Sequence, residues 1–544
     1  MRLTQTNSNE TRQKRRATST LTLTATLAAS ALLGGCNVGP KYTAPKTPAP
    51  PAYKEAGPDA YKDAPAGTWQ PAKPGDAMLK GKWWEVFNEP ELNALEEQVN
   101  INNANIAEYF QNFMAARAIV RQSKASFWPT LVTDPSWTRT KSSSALVNAG
   151  TTNATGTGGS GSAGGGGSGT TTSSGTTTTS GRTSTVMSLP FDVSWEPDLW
   201  GKVRNQVSAN QAAAQVSAAD LENERLTEQA SLAEYYFQLR GQDSLQDVLN
   251  KTVDADRKQL ELTRTLVDTG IDSPESVAEA EVTLANAEET AAGVAQNRAI
   301  YEHAIAMLIG KSASDFSMPV KGLTTPLPQI PIGVPTQVLE RRPDIAAAER
   351  TMSEANSLIG VYKAAYYPTL DLTGGGGLES STISSLFSMP ALFWTAGASA
   401  SETIFDAGLR RATVDQYKAQ YESDAAAYKQ TVLTAFQQVE DYLASVRVTS
   451  AQQQKEDVAV KAAQRYYDIA NSRYQTGLDP YLDVITAENT LLSDQQTQVT
   501  LHVSAMVAAV QLVQALGGGW DRGQLPSGVS ITTSAAATQV RNTP

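Results

Sequence analysis

The chain has 544 residues, of which 40% are hydrophobic and 18% charged, and its net charge is −11. Such acidity disfavours nucleic-acid binding, which needs clustered Lys and Arg, and one cysteine with two histidines excludes a disulfide scaffold or a Cys/His metal cluster. Beyond residue 35 no uninterrupted apolar run reaches 18 residues, which excludes a multi-span helical membrane protein but leaves room for one built from strands.

At the N-terminus, Arg2, Arg12, Lys14, Arg15 and Arg16 precede a mostly apolar stretch ending Leu32-Leu33-Gly34-Gly35-Cys36. A basic start, a short apolar core and small residues at the end read as a secretory signal over residues 1–35. The Leu-Gly-Gly-Cys ending resembles a bacterial lipoprotein signal, which implies cleavage before Cys36 and lipid on that cysteine. The alternative is cleavage elsewhere, with Cys36 a bystander. Asn37, rather than Asp, at the following position implies sorting to the outer membrane. Loss of the signal would leave a net charge of about −15. Nine prolines lie between Pro40 and Pro74, so residues 36–80 read as an extended tether.

The rest of the chain repeats itself. Asn105-Ile106-Ala107 through Pro129-Thr130-Leu131 resembles Asp344-Ile345-Ala346 through Pro368-Thr369-Leu370 at an offset of 239. Gly201/Gly408, Arg204/Arg411, Tyr235/Tyr442, Thr269-Gly270/Thr476-Gly477, Asp272/Asp479 and Glu281/Glu488 continue the match at an offset of 207. The two copies read as residues 81–318 and 339–520, joined by a Pro-rich linker over 319–338 and followed by a tail over 521–544. The offsets differ by 32, which is the length of the Gly/Ser/Thr-rich run 150–181. That run reads as a loop insertion in the first copy. Neither it nor Gly374–Gly377 precedes the Gly-Lys-Ser/Thr of a phosphate cradle.

Within each copy the pattern is helix, strand pair, long helix, turn, helix. Trp200 to about Thr265 lacks proline and is rich in helix formers. In the second copy Val432, Phe436, Val439, Leu443 and Val446 step by 4, 3, 4, 3, a coiled-coil seam. About 66 residues make a helix of roughly 100 Å. Helices expected over about 91–127 and 275–309 are each about half as long, so two placed end to end match one long helix. Leu189, Phe191, Val193 and Trp195 alternate with polar residues, as do Leu370 and Leu372. This suits a barrel with lipid outside and water inside, and also an ordinary two-sided sheet. Trp128, Trp137, Trp195, Trp200 and Trp394 lie in or beside the strands, where a membrane-interface belt would be. Four strands cannot close a membrane barrel, so a spanning role requires several chains. The fold class is therefore α+β, mainly α.

Several motifs then occur in order: Cys36-Asn37-Val38-Gly39-Pro40-Lys41-Tyr42, Trp83-Trp84-Glu85-Val86-Phe87-Asn88-Glu89-Pro90-Glu91-Leu92, Leu327-Pro328-Gln329-Ile330-Pro331, Leu339-Glu340-Arg341-Arg342-Pro343-Asp344-Ile345 and Ala515-Leu516-Gly517-Gly518-Gly519-Trp520. Together they resemble the outer-membrane efflux factors of the TolC/OprM type, in the lipoprotein (NodT-like) branch. The resemblance implies a homotrimer with a 12-stranded β-barrel in the outer membrane and a 12-helix α-barrel in the periplasm. It also implies a passive exit duct for drugs or other small toxic compounds, with a periplasmic adaptor and an inner-membrane RND transporter as partners. No enzyme activity, cofactor, metal or nucleic-acid partner is implied. His303 and His502 lack histidine counterparts in the other copy and read as helix-face residues.

The candidate site is the pair of turns Asp268–Glu275 and Gln475–Asp483. Gly270 and Gly477 suit helix stops, and Pro274 and Pro480 suit helix starts. The plain reading is a tight helical turn. The resemblance adds that the turns form the periplasmic tip. It implies that Gly270, Ile271, Gly477 and Leu478 meet the adaptor, and that Tyr474, Asp479, Asp483, Asp272 and Glu275 close the duct at rest. Ser276 departs from the pattern, standing where some members have an acid. The same fold also serves type I protein secretion, and a non-transporting coiled-coil envelope protein is a further alternative.

Overall fold

The computed structural model describes residues 37–45, 49–55, 81–141, 183–330, 335–520, 522–527 and 530–532. Cys36, the signal region 1–35 and the run 150–181 lie outside the described residues. The chain divides into two compact units, and each takes segments from both halves of the sequence.

The first unit contains the strands: β1 (Thr130–Thr133), β2 (Ser136–Lys141), β3 (Thr183–Trp195), β4 (Thr369–Ser380) and β5 (Leu392–Ser401), with the short helix α7 (Ile383–Leu386) between the last two. β1 and β2 lie end to end against β3, followed by β4 and β5, and every pairing is antiparallel. Among the described residues the sheet is thus four strands wide, with β1–β2 on one edge and β5 on the other. The gap between β1 and β2 is Asp134-Pro135, and it faces Leu189-Pro190 of β3. Two prolines without ladder donors explain the interruption. The Gly374–Gly377 run continues β4, and Gly377 pairs with Pro190. A Cβ on Gly377 would lie 2.3 Å from the Leu189 carbonyl oxygen, so only glycine lets the two strands approach. The apolar side chains Leu131, Val132, Trp137, Phe191, Val193, Leu392 and Trp394 are exposed on this single chain.

The second unit is helical: α1 (Pro90–Asn102), α2 (Ala104–Ala125), α3 (Lys202–Asp268), α4 (Pro274–Leu308), α5 (Pro335–Arg341), α6 (Pro343–Ala364), α8 (Leu409–Gln475) and α9 (Tyr481–Ala515). α3 and α8 have 67 residues each, and α4 and α9 have 35 each. All four pairs of helix ends are related by 207 positions. Val432, Phe436, Val439 and Leu443 are buried in the main core, where Val446 packs against them. Leu221, Tyr236, Phe237 and Leu239 of α3, and Val510, Leu512 and Val513 of α9, supply the facing surfaces. By length and composition α9 could cross a membrane, but its second half lends Val510, Leu512 and Val513 to this core.

One helix expected over 91–127 is two. Asn103 breaks it in an extended conformation. Its Oδ1 accepts from the amides of Asn105 (2.9 Å) and Ile106 (3.1 Å), capping α2. Its Nδ2 donates to the Glu228 carboxylate and the Leu308 carbonyl, which fixes the break between α3 and α4. The second copy breaks at Arg342, 239 positions later, where Pro343 opens α6.

The Pro-rich N-terminal segment is not a free spacer in its described parts. Asn37 Oδ1 accepts from Asn205 at 2.8 Å, Tyr42 donates to Glu349 at 2.7 Å, and the amides of Lys54 and Glu55 donate to Glu440. Tyr53 is buried in the main core. The segment cannot form a core of its own, but its tyrosines use one that exists. The linker after α4 is similarly held. Arg240 bonds Asp243, Glu91 and the Pro319 carbonyl, while Arg298 bonds Asp243 and the Met318 carbonyl.

Candidate functional site

Both turns end their long helix in the same way. Gly270 and Gly477 have φ of +74° and +72°, which a side chain would oppose. The Gly270 amide donates to the Val267 carbonyl and that of Ile271 to Leu266; Gly477 donates to Tyr474 and Leu478 to Arg473. This bonding pattern satisfies the last helical carbonyls. Ile271 and Leu478 follow the glycines and are 64% and 69% exposed, an apolar pair that the chain itself leaves uncovered. Below the turns, Leu260, Ala280, Tyr474, Tyr481 and Val484 form a separate small core.

The acidic residues part company at this point. Asp272 Oδ1 accepts from the Ser273 amide (2.7 Å) and the Ser276 hydroxyl (2.8 Å). Its Oδ2 accepts from the Tyr474 hydroxyl at 2.8 Å, which joins the end of α8 to the first turn. Partial burial pushes the Asp272 carboxyl up, but these three donors outweigh it and hold it below the usual carboxylate range. Tyr474 is buried, its hydroxyl also meets that of Thr263 at 3.1 Å, and its ring lies 5.4 Å from that of Tyr481. Burial and the Asp272 acceptor push its phenol up to about 12. Ser276, the departure from the expected acid, is a donor here, which an ionised acid could not be.

Asp479 is held by its own helix end. Arg473 grips it through two nitrogens, with Nη2 to Oδ1 at 2.8 Å, and this bond holds its carboxyl below the usual range. Asp483 is exposed in the first turn of α9 and adds to the negative field on Arg473. Glu275 is exposed in the first turn of α4, where a negative charge suits the helix dipole. The structure therefore unites Tyr474 with Asp272 and leaves Asp479 and Asp483 around Arg473, with Glu275 outside both. Thr263 and Arg473 were not singled out from the sequence. Arg473 stands six residues before Asp479, a spacing that two ends of one turn can bridge; nothing local marks Thr263.

The tryptophans of the first unit divide in the same fashion. Trp128, Trp137 and Trp394 are 74%, 62% and 77% exposed. Trp195 is half-buried and donates to the Phe127 carbonyl at 3.0 Å. Trp200 stacks on Tyr367 at 4.8 Å and donates to the Pro368 carbonyl at 2.8 Å.

Comparisons with known proteins fit this architecture. The family model described as outer membrane efflux protein matches residues 95–311 and 334–518. The antibiotic efflux pump outer membrane protein ArpC of Pseudomonas putida is 28% identical over 517 residues, covering 93% of this chain and 98% of the relative. The toluene efflux pump outer membrane protein TtgC, also of Pseudomonas putida, matches to the same extent. Among solved structures, the outer-membrane channel OprN superposes with a TM-score of 0.76 at 26% identity, covering 89% of this chain and 100% of that one. The Campylobacter jejuni CmeC channel gives 0.79 at 20% identity, covering 93% and 99%, which speaks for the fold. With matching segments that take in most of the helices and both turns, this chain belongs to the outer membrane efflux protein family.

Proposed function

We propose that three copies of this chain form the exit duct of a tripartite efflux pump, passing drugs or other small toxic compounds outward without chemistry. The observation that carries the reading is the open sheet. Among the described residues four strand widths leave β1–β2 and β5 as edges, and one face of the sheet exposes Leu131, Trp137, Phe191, Val193 and Trp394. An isolated apolar sheet with free edges is an aggregation hazard. Three such sheets joined edge to edge make a closed 12-stranded barrel whose apolar face meets lipid. The 207-residue correspondence of α3–α4 with α8–α9 supports a duplicated unit, and three chains then give a 12-helix periplasmic barrel.

On this reading Cys36 carries lipid, and Trp128, Trp137 and Trp394 sit at the membrane interface, with Trp195 and Trp200 bracing the strand ends. The exposed Ile271 and Leu478 beside Gly270 and Gly477 suit contact with a periplasmic adaptor, which links the duct to an inner-membrane RND transporter. Tyr474 and Asp272 fasten the tip within each chain. Threefold symmetry brings copies of Asp479 and Asp483, with Glu275 nearby, around the opening, where like charges repel and attract cations. The relatives named for antibiotics and toluene favour small, largely apolar cargo.

The test is the mass of the detergent-extracted protein together with its conductance in planar bilayers. Trimers that conduct are expected, with drug hypersensitivity on gene deletion; a monomer that conducts nothing overturns the reading. Removing residues 150–181 is expected to leave the trimer intact, and its loss would show that the run is more than a loop insertion.

A further inference from the structure

Asp256 on α3 and Glu488 on α9 face each other where the two helical hairpins pack together. They are 2% and 8% exposed. Asp256 lies 12 residues before the end of α3, about 18 Å along the helix, and Glu488 lies in the third helical turn of α9. Neither oxygen of Asp256 has a hydrogen-bond donor, and the Gln259 amide nitrogen one turn on is also unpartnered. Two ionised carboxylates are both acceptors, so neither can satisfy the other. A proton on one turns the pair into donor and acceptor.

Among the described residues no cation acts on either carboxyl to do the same. From α8 the pair meets the phenol of Tyr467, beside which Asp468 adds negative charge. From α9 it meets Tyr481. On the α4 side, Glu281 and Glu288 are engaged by Arg264 (2.8 Å) and Arg257 (3.0 Å) in exposed pairs. The remaining neighbours on α3 are Gln259 and Thr263, and Thr263 is bonded to Tyr474. Burial, and then the charge of Asp256, push Glu488 up to about 8, and burial raises Asp256 as well.

We propose that Asp256 and Glu488 share one proton at neutral pH, and that this proton clamps α3 of the first hairpin to α9 of the second, making their packing sensitive to alkali. The sign follows from the direction of the shift. An acid whose folded pKa is raised favours the packed state while it stays protonated, and that support is lost as pH rises through the folded value. The clamp thus holds in acid and neutral media and fails above about pH 8.

The experiment uses the full-length protein in detergent and does not depend on conduction. Infrared spectroscopy across about pH 6 to pH 9, bracketing the shifted value, is expected to show protonated-carboxyl intensity at neutral pH that Glu488→Gln and Asp256→Asn each reduce, leaving the share of the separately buried Glu96. Hydrogen exchange of segments 253–263 and 484–492, corrected for intrinsic rates, is expected to speed about tenfold for one pH unit above the transition. Either amide variant supplies a permanent donor, so its exchange should stay flat with pH. Protonated-carboxyl intensity at neutral pH that both variants leave unchanged overturns the proposal. So does an unchanged pH slope in both variants.

Discussion

The first and second turns share a left-handed glycine, the same closing hydrogen bonds and an aspartate two residues after that glycine, yet the aspartates do different work. Asp479 is paired from within its own turn with Arg473. The position equivalent to Arg473 in the first copy is Leu266, so Asp272 has no local cation. It is engaged instead by Tyr474, whose own counterpart is Val267. Changing two adjacent residues converts a self-contained turn into one fastened to the other hairpin. The backbone is duplicated; the bond between hairpins exists because the side chains are not.

Substitutions can break this contrast, and the largest effect is expected from Asp272→Ala. It strips Ser276 and the buried Tyr474 hydroxyl of their acceptor, and should cost the tip about 2–3 kcal/mol, read as faster hydrogen exchange in residues 263–280 and as raised resting conductance. Tyr474→Phe keeps the ring against Tyr481 and removes only the hydroxyl bonds, so about 1–2 kcal/mol is expected by the same measurement. Gly270→Ala and Gly477→Ala probe what the turns have in common. Each should cost about 1–2 kcal/mol, and unequal losses in thermal unfolding would show that the backbones are not equivalent.

Acid should separate the turns by a different route. Asp272 has a lowered folded pKa, so its contribution is present above the ordinary carboxylate value and is lost as pH falls through the depressed one. The Tyr474 bond is therefore expected to survive to about pH 4 and to weaken below it. Conductance or exchange at the tip should be level from neutral pH down to that point; an earlier change would place the titration elsewhere. The smallest effect is expected from Arg473→Ala. This exposed pair is screened by salt, so its removal should matter at low ionic strength and little at high.

The long helices and their stops were legible in the sequence because they are local: proline-free stretches, a heptad seam, and glycine followed by proline. The break at Asn103 was not, because asparagine suits both a helix interior and a cap, and its partners Glu228 and Leu308 are distant in sequence. Gly374–Gly377 was read only as what it is not. Its place in β4 depends on Pro190 across the sheet, a pairing that periodicity cannot supply. At the site, Tyr474 and Asp272 were both singled out as separate members of the tip. Their bond spans 202 positions, and nothing in either segment announces the other. Glu281 and Glu488 match in the repeat, yet one meets Arg264 in solvent and the other meets Asp256 in the interior.

The docked N-terminal segment bears on the order in which the chain matures. Asn205 apart, its partners Glu349, Asn356, Glu440 and Arg447 lie 307 to 392 positions downstream. No such contact can form until most of the chain has been made, and closures of this span are slow. Residues 40–55, made early, are thus among the last to be seated. A lipid on Cys36 would hold the chain at a bilayer through that interval, so that anchoring precedes folding and the seated strap records its completion.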